Sequence, residues 1–180
     1  LDLPPLRTVQ INFVGPTDGK LQISHKMLRR GKNNVTFEAH LDSDAGPGTY
    51  GYFTFGISRQ MTQEIDYPKH PLSVKPQMGK KLIPHNAAPN FLTNFDRIHA
   101  TGPELLSGSD NPDITVWSRH VDPYSHEGVT ALIALTDAPP AALTALTQLN
   151  ALSSMNWNIN MLSDNPTTTN GWFLLRTATK

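Results

Sequence analysis

Apolar and polar residues alternate over most of residues 6–57, and this restricts the N-terminal third of the chain to β-structure. Between Leu6 and Val14, the apolar residues Val9, Ile11 and Phe13 alternate with polar ones, which is the period of a strand with one buried face. Three further strands are predicted, over 21–27, 35–41 and 50–57. Turns rich in glycine, proline and asparagine separate them. The sequence therefore predicts an antiparallel sheet whose apolar face needs a cover.

The next part of the chain has a different character. Residues 63–95 carry many prolines and no sustained period, so we interpret them as a linker between two units. Two strands are predicted after it, at Asp96–Gly102 and Ile114–His120. A helical spacing of apolar residues follows over Tyr124–Asn150.

Two prolines interrupt this helical stretch. Pro139 and Pro140 fall inside it, and a proline in a helix interior costs about 3 kcal/mol, so the helix is expected to break there. Asp137 then lies where a second helical segment would begin. An aspartate at this position is a common N-cap, so a capping role is an alternative to any catalytic one.

A strand pattern occurs twice in the chain. Thr8–Phe13, a turn rich in proline and glycine, and a strand correspond to Ser154–Ile159, another such turn, and Trp172–Arg176. The offset is 146 residues and the apolar phase is kept, which indicates an internal duplication. The predicted division is a first half at 1–62, the linker, and a second half at 96–180. The first half is expected to lack its N-terminal helix, and the second its final strands.

The composition excludes several classes of protein. Among 180 residues, 15 are Lys or Arg and 15 are Asp or Glu, so the chain lacks the basic excess of a general nucleic-acid binder. Without cysteine it has no thiolate zinc site and no cysteine nucleophile. No apolar run reaches the ~20 residues that span a bilayer. His120, Asp122 and His126 are the closest grouping of metal-binding residue types, but Pro123 interrupts it, and no metal is expected.

Five segments occur in a fixed order along the chain: Thr8–Pro16, Met27–Lys32, Leu135–Pro140, Ser154–Trp157 and Gly171–Arg176. Together, and in this order, they resemble the acyl-CoA thioesterase family, in its thioesterase II-like branch. The resemblance implies an α+β double hotdog fold, in which an antiparallel sheet wraps around a central helix and the unit is duplicated in one chain. It also implies hydrolysis of acyl-CoA to a free fatty acid and coenzyme A, with no cofactor beyond the coenzyme A of the substrate.

The resemblance also carries candidate site residues. The family's catalytic aspartate falls on Asp137 and its strand-opening hydroxyl on Ser154, while its glutamine would lie beyond Lys180. Asp137 would act as general base, and N–H groups at the helix break could stabilise the oxyanion. For Ser154 the alternative is an ordinary hydroxyl at a strand edge.

The cluster Arg29, Arg30 and Lys32 has two interpretations. It could bind the phosphates of coenzyme A, or it could be a solvated turn that protects a sheet edge. The alternative function for the whole chain is a non-catalytic acyl or acyl-CoA binding module, and a third is a β-rich interaction domain. We expect a homodimer or higher homo-oligomer that binds neither nucleic acid nor membranes. The expected location is intracellular: the cytoplasm in a bacterium, with the peroxisome as an option in a eukaryote.

Overall fold

The structure is a computed structural model. It describes residues 2–60, 75–84, 88–141, 153–168 and 170–179. The chain forms two compact units, and each combines segments that are distant in sequence. The first contains 1–65 and 152–165, and the second contains 66–151 and 166–180. Within the described residues, no helix is long and apolar enough to cross a bilayer.

The first unit is built on a five-stranded antiparallel sheet. Its strands are β1 (Leu6–Phe13), β2 (Leu21–Arg30), β3 (Asn34–Ser43), β4 (Gly46–Gly56) and β8 (Asn156–Asn160), in the spatial order β2-β3-β4-β1-β8. The four strands predicted from the alternation in residues 6–57 are thereby confirmed. The predicted apolar phase is found in β1 and β3, where Val9 and Val35 are almost completely buried. It is not found in the edge strand β2, because all its residues, including the apolar Leu21 and Ile23, are exposed.

The pairing of β1 with β8 has the symmetry that a duplication predicts. Ile11 lies opposite Trp157, and these two residues are equivalent under the 146-residue offset. The neighbouring pairs, Gln10 with Asn158 and Asn12 with Asn156, exchange under the same offset. The two copies of the repeated strand therefore pair with each other around a local pseudo-twofold axis. The sequence analysis assigns β8 to the second half of the chain, and in the structure it completes the sheet of the first unit.

The second unit has a smaller antiparallel sheet. It consists of β5 (Lys80–Lys81), β6 (Phe95–Thr101), β7 (Asp113–His120) and β9 (Phe173–Ala178), in that spatial order. Ile114 and Val116 of the central strand β7 are fully buried and form its apolar core. The predicted strands at 96–102 and 114–120 are confirmed.

One short helix, α1 (Val129–Leu135), contacts the sheet of the second unit. The imidazole Nε2 of His120 lies 2.8 Å from the carbonyl oxygen of Ala131, which links β7 to this helix. Leu135 at the end of α1 is 1% exposed. The structure therefore places the buried end of α1 next to the segment that carries Asp137.

The predicted helix is corrected at its start and confirmed at its break. Pro123–Ser125 forms a separate 3-10 turn, and α1 begins only after Gly128. Gly128 has φ +94°, a conformation through which a right-handed helix does not continue. The helix ends at Leu135, before the two prolines. The second helical segment predicted up to Asn150 falls mostly on residues 142–150, which lie outside the described residues.

The predicted linker is partly described. It contains a 3-10 turn at Pro76–Met78, the short strand β5, and a second 3-10 turn at Asn90–Asn94. Residues 61–74 and 85–87 lie outside the described residues. The described part therefore contributes one strand to the second sheet.

Candidate active site

Asp137 lies in the second unit, two residues after the end of α1. Its side chain is half-buried, and this burial raises the pKa of the carboxyl above its usual value. Among the residues that the structure describes, none donates a hydrogen bond to this carboxylate or pairs with it. A carboxylate that is partly desolvated and has no donor is more basic than an exposed one, which suits a general base.

Two side chains of the sheet hold the backbone around Asp137. The guanidinium of Arg97, on β6, donates from Nη1 to the carbonyl oxygen of Ala138 at 3.3 Å. The hydroxyl of Thr177, on β9, donates to the carbonyl oxygen of Pro140 at 2.9 Å. The segment after α1 is thus attached to β6 and β9, the two strands that flank β7.

The N–H groups around the helix break are already used. Those of Thr136, Asp137 and Ala138 donate to carbonyl oxygens of residues 132–135 within α1, at 3.0 to 3.4 Å. Pro139 and Pro140 have no N–H at all. The expectation that the break exposes oxyanion donors is therefore wrong for residues 136–140, because the last turn of the helix consumes these groups.

Ser154 lies in the first unit, in the segment before β8. Its side chain is exposed, and β8 begins two residues later, at Asn156. The next residue, Met155, accepts a hydrogen bond from the N–H of Phe13 at 2.9 Å, so pairing with β1 begins directly after Ser154. The catalytic role of Ser154 stays a prediction from the resemblance.

The basic cluster Arg29, Arg30 and Lys32 is divided by the structure. Arg30 and Lys32 line a cleft of about 470 Å³ in the first unit, whereas Arg29 is not among its lining residues. Asp2 and Asp164 also line it, and Asp164 is paired with Arg7 at 2.5 Å. The charge of Asp164 is neutralised by this pairing. The remaining charged groups that line the cleft are the cations Arg30 and Lys32 and the carboxylate of Asp2, so their balance favours an anion.

The histidine grouping near α1 has structural hydrogen bonds. His120 bonds to the carbonyl oxygen of Ala131, and His126 bonds to that of His120 at 3.0 Å. Asp122 accepts from the N–H of Tyr124 and so caps the 3-10 turn. Within the described parts of the chain, no three histidines or carboxylates lie close enough together to hold a metal ion.

Sequence reasoning did not identify Arg97 as a site residue. It lies opposite Ser118 on β7, and both side chains face the covered side of the sheet with Ile114 and Val116. A lone arginine in a predicted strand gives no signal of burial by itself. The register of β6 against β7 would have to be known, and a bulge between His99 and Thr101 shifts that register.

Comparison with solved structures defines the fold. A conserved protein of unknown function with a hot dog fold from Alicyclobacillus acidocaldarius matches with a TM-score of 0.77 and 17% identity over 90% of this chain and 61% of its own. A tesB protein of Mycobacterium avium subs paratuberculosis matches with a TM-score of 0.67 and 15% identity over 96% of this chain and 65% of its own. An acyl-CoA thioesterase II from Mycobacterium marinum matches with a TM-score of 0.62 and 15% identity over 96% of this chain and 67% of its own. This is a hotdog protein, as the sequence analysis expects.

The family follows from the sequence itself. The sequence model of the acyl-CoA thioesterase C-terminal domain matches residues 68–180, more than half of the chain, so the protein belongs to the acyl-CoA thioesterase family. No functionally curated protein matches it. The chain spans 61% to 67% of the length of the three solved structures named above.

Proposed function

We propose that this protein hydrolyses acyl-CoA thioesters to a free fatty acid and coenzyme A, with Asp137 as general base. The observation that carries this proposal is a half-buried carboxylate of raised pKa, without a hydrogen-bond donor among the described residues, in the region that matches the thioesterase family. A thioester carbonyl is already activated, so a positioned water and a base suffice for the attack.

The reaction balances with one water. Asp137 accepts a proton as the water oxygen forms a bond to the thioester carbonyl carbon. The tetrahedral intermediate then collapses, the carbon–sulfur bond breaks, and the thiolate of coenzyme A takes the proton from Asp137. Ser154 is proposed, from the resemblance alone, to share a hydrogen bond with the attacking water.

The cleft in the first unit is the candidate site for coenzyme A phosphates. Arg30 and Lys32 both line it, and a guanidinium can bind a phosphate through two parallel hydrogen bonds. Arg29 does not line the cleft, so we narrow the sequence-based cluster to Arg30 and Lys32.

One observation favours the alternative function, a non-catalytic acyl or acyl-CoA binding module. The N–H groups of residues 136–138 are all bonded within α1, so this segment offers no donors for an oxyanion. In that case the chain binds acyl-CoA without releasing the thiol.

The test is release of free coenzyme A from acyl-CoA substrates of increasing chain length, followed with a thiol reagent. We expect Asp137→Asn to lower kcat at least about a hundredfold, the usual contribution of a general base, and Ser154→Ala to lower it less. Asp110→Asn is the matched control, because Asp110 is an exposed carboxyl of the same unit. An Asp137→Asn protein as fast as its parent would exclude Asp137 as the base. Tight acyl-CoA binding by the parent without thiol release would favour the binding module.

A further inference from the structure

Arg97 is a buried cation without a carboxylate partner among the residues that the structure describes. It is 5% exposed, and burial lowers the pKa of its guanidinium. Its Nε is buried and has no hydrogen-bond partner in the described part of the chain, and the same holds there for the hydroxyl of Ser118 opposite. Its hydrogen bond runs to the carbonyl oxygen of Ala138.

This arrangement is unfavourable for stability. A buried charge is usually paired, and an apolar side chain of similar volume often replaces it at no loss of stability. The Nε of Arg119 on β7 is also buried without a partner among the described residues, but this guanidinium donates to Asp96 at 2.8 Å and lies over the ring of Trp172 at 4.6 Å. Packing therefore explains Arg119, whereas the contact that Arg97 makes points to the segment around Asp137.

We infer that Arg97 is a positioning residue that fixes the backbone of Asp137 by holding the carbonyl oxygen of Ala138. This inference rests on the proposed function of Asp137. The carbonyl group of Ala138 belongs to the peptide after Ala138, so a shift of that peptide reaches Asp137 through the Cα of Ala138. A displacement of about 1 Å at a catalytic group can cost a hundredfold in rate.

The geometry makes Arg97 the nearer of two attachments. Thr177 holds the carbonyl oxygen of Pro140, three residues after Asp137, and on the other side the segment is bonded to the last turn of α1. Between these points, Arg97 holds the carbonyl oxygen of Ala138, the residue directly after Asp137. Loss of Arg97 therefore loosens the segment on the C-terminal side of Asp137, while the bonds to α1 and the bond from Thr177 remain.

The experiment compares Arg97→Met with Arg119→Met in the full chain. For Arg97→Met we expect kcat for acyl-CoA to fall about ten- to a hundredfold with KM within about twofold, and a Tm within about 4 °C of the parent. For Arg119→Met we expect the opposite, a lower Tm with kcat unchanged, because it loses the contacts to Asp96 and Trp172. Arg97→Lys keeps a cationic donor and is expected to recover part of kcat.

A second measurement does not depend on activity. Amide hydrogen exchange of residues 136–138 reports on this segment, and the two prolines that follow add no signal. We expect exchange at Ala138, whose N–H donates to Leu135, to become about tenfold faster in Arg97→Met and to stay unchanged in Arg119→Met.

The outcomes separate the two proposals. Faster exchange in Arg97→Met with a parent that hydrolyses no acyl-CoA would contradict the proposed function and leave the positioning role supported. Unchanged exchange would overturn the positioning role, and so would faster exchange together with the kcat of an active parent. A parallel loss of Tm and activity in Arg97→Met would also overturn it, since that result describes a structural arginine.

Discussion

The carboxyl of Asp137 is half-buried and its pKa is raised, which has a consequence for the stability of the folded protein. A carboxylate loses hydration when it is buried, and hydrogen bonds or a cation normally compensate for that loss. Within the described residues Asp137 has neither, and the result is the raised pKa of its carboxyl. The same feature that suits a general base should therefore destabilise the folded protein whenever the group is ionised.

This leads to a prediction about the stability of Asp137→Asn. The pKa of Asp137 is higher in the folded than in the unfolded state, so its contribution to stability is full below the unfolded value of about 3.9 and is lost as pH rises through the folded value. The amide does not ionise and avoids this loss. We expect Asp137→Asn to raise Tm at pH 7 by roughly 2 °C, with no difference from the parent below about pH 4.

Thermal unfolding of the two proteins between pH 3.5 and 8 measures this effect. Asp110→Asn serves again as control, since Asp110 is exposed. A lower Tm for Asp137→Asn at pH 7 would show that the carboxylate has a stabilising partner in solution. Asp137→Ala separates a catalytic aspartate from a capping one, because asparagine can still cap a helix whereas alanine cannot, so a capping role predicts a lower Tm for Asp137→Ala than for Asp137→Asn.

At the scale of elements, the strands could be predicted from the sequence, whereas the pairing of β1 with β8 could not. Period-two alternation is typical of strands, which explains why it locates β1 to β4, although β2 is exposed on both faces. The repeat explains the symmetry of the β1–β8 pair, since Ile11 and Trp157 are equivalent positions, but a repeat alone does not determine which strands pair. The end of α1 was also predictable, because proline cannot continue a helix.

The features that the sequence does not predict depend on contacts between distant elements and on backbone conformation. The partner of Arg97 is a backbone carbonyl from another element, and no sequence pattern encodes it. The premature start predicted for α1 has a similar origin, since apolar spacing cannot report the positive φ of Gly128. Periodicity therefore identifies elements and their faces, whereas the site depends on register and backbone conformation.

The pairing of β8 gives a prediction that distinguishes its two edges. The N–H of Met161 donates to Arg7, and the N–H of Phe13 donates to Met155. In an antiparallel pair these bonds alternate, so the N–H of Ile159 faces β1 and that of Asn158 faces away. Ile159→Pro should therefore break the ladder, while Asn158→Pro should be tolerated at this edge.

We expect Ile159→Pro to lose about 3 kcal/mol or more in urea unfolding and Asn158→Pro to lose less than about 1 kcal/mol. Ile159→Ala is needed beside them, because Ile159 also packs on the apolar face, and it should fall between the two. Equal losses of unfolding free energy in the two proline variants would contradict the assignment of the Ile159 N–H to β1 and of the Asn158 N–H to the open edge.

At the scale of the whole molecule, balanced charge is organised into specific pairs. Asp96 is held by Arg119 at 2.8 Å and Lys81 at 3.1 Å, and the pKa of its carboxyl is lowered by these partners, with Arg119 first. Hydrogen bonds from Ser58 and Arg7 lower the pKa of Asp164, and a hydrogen bond from Lys80 lowers the pKa of Glu104. The pKa values of these three carboxyls are lowered, whereas that of Asp137 is raised. The three carboxyls therefore lose their contribution to stability as pH falls, and Asp137 loses its contribution as pH rises.

The three carboxyls of lowered pKa determine how stability changes at acid pH. Because their folded pKa values lie below the unfolded ones, their contribution is present above about pH 4 and is lost as pH falls through the folded values. We expect stability to be nearly constant from pH 5 to 7 and to fall steeply below pH 4. Asp96→Asn should cost about 1 kcal/mol at pH 7, since it removes two ion pairs, and the cost should shrink toward pH 3. Asp110→Asn should cost nothing at either pH. An Asp96→Asn protein as stable as its parent at pH 7 would mean that the pairs of Asp96 only offset the desolvation of their charges.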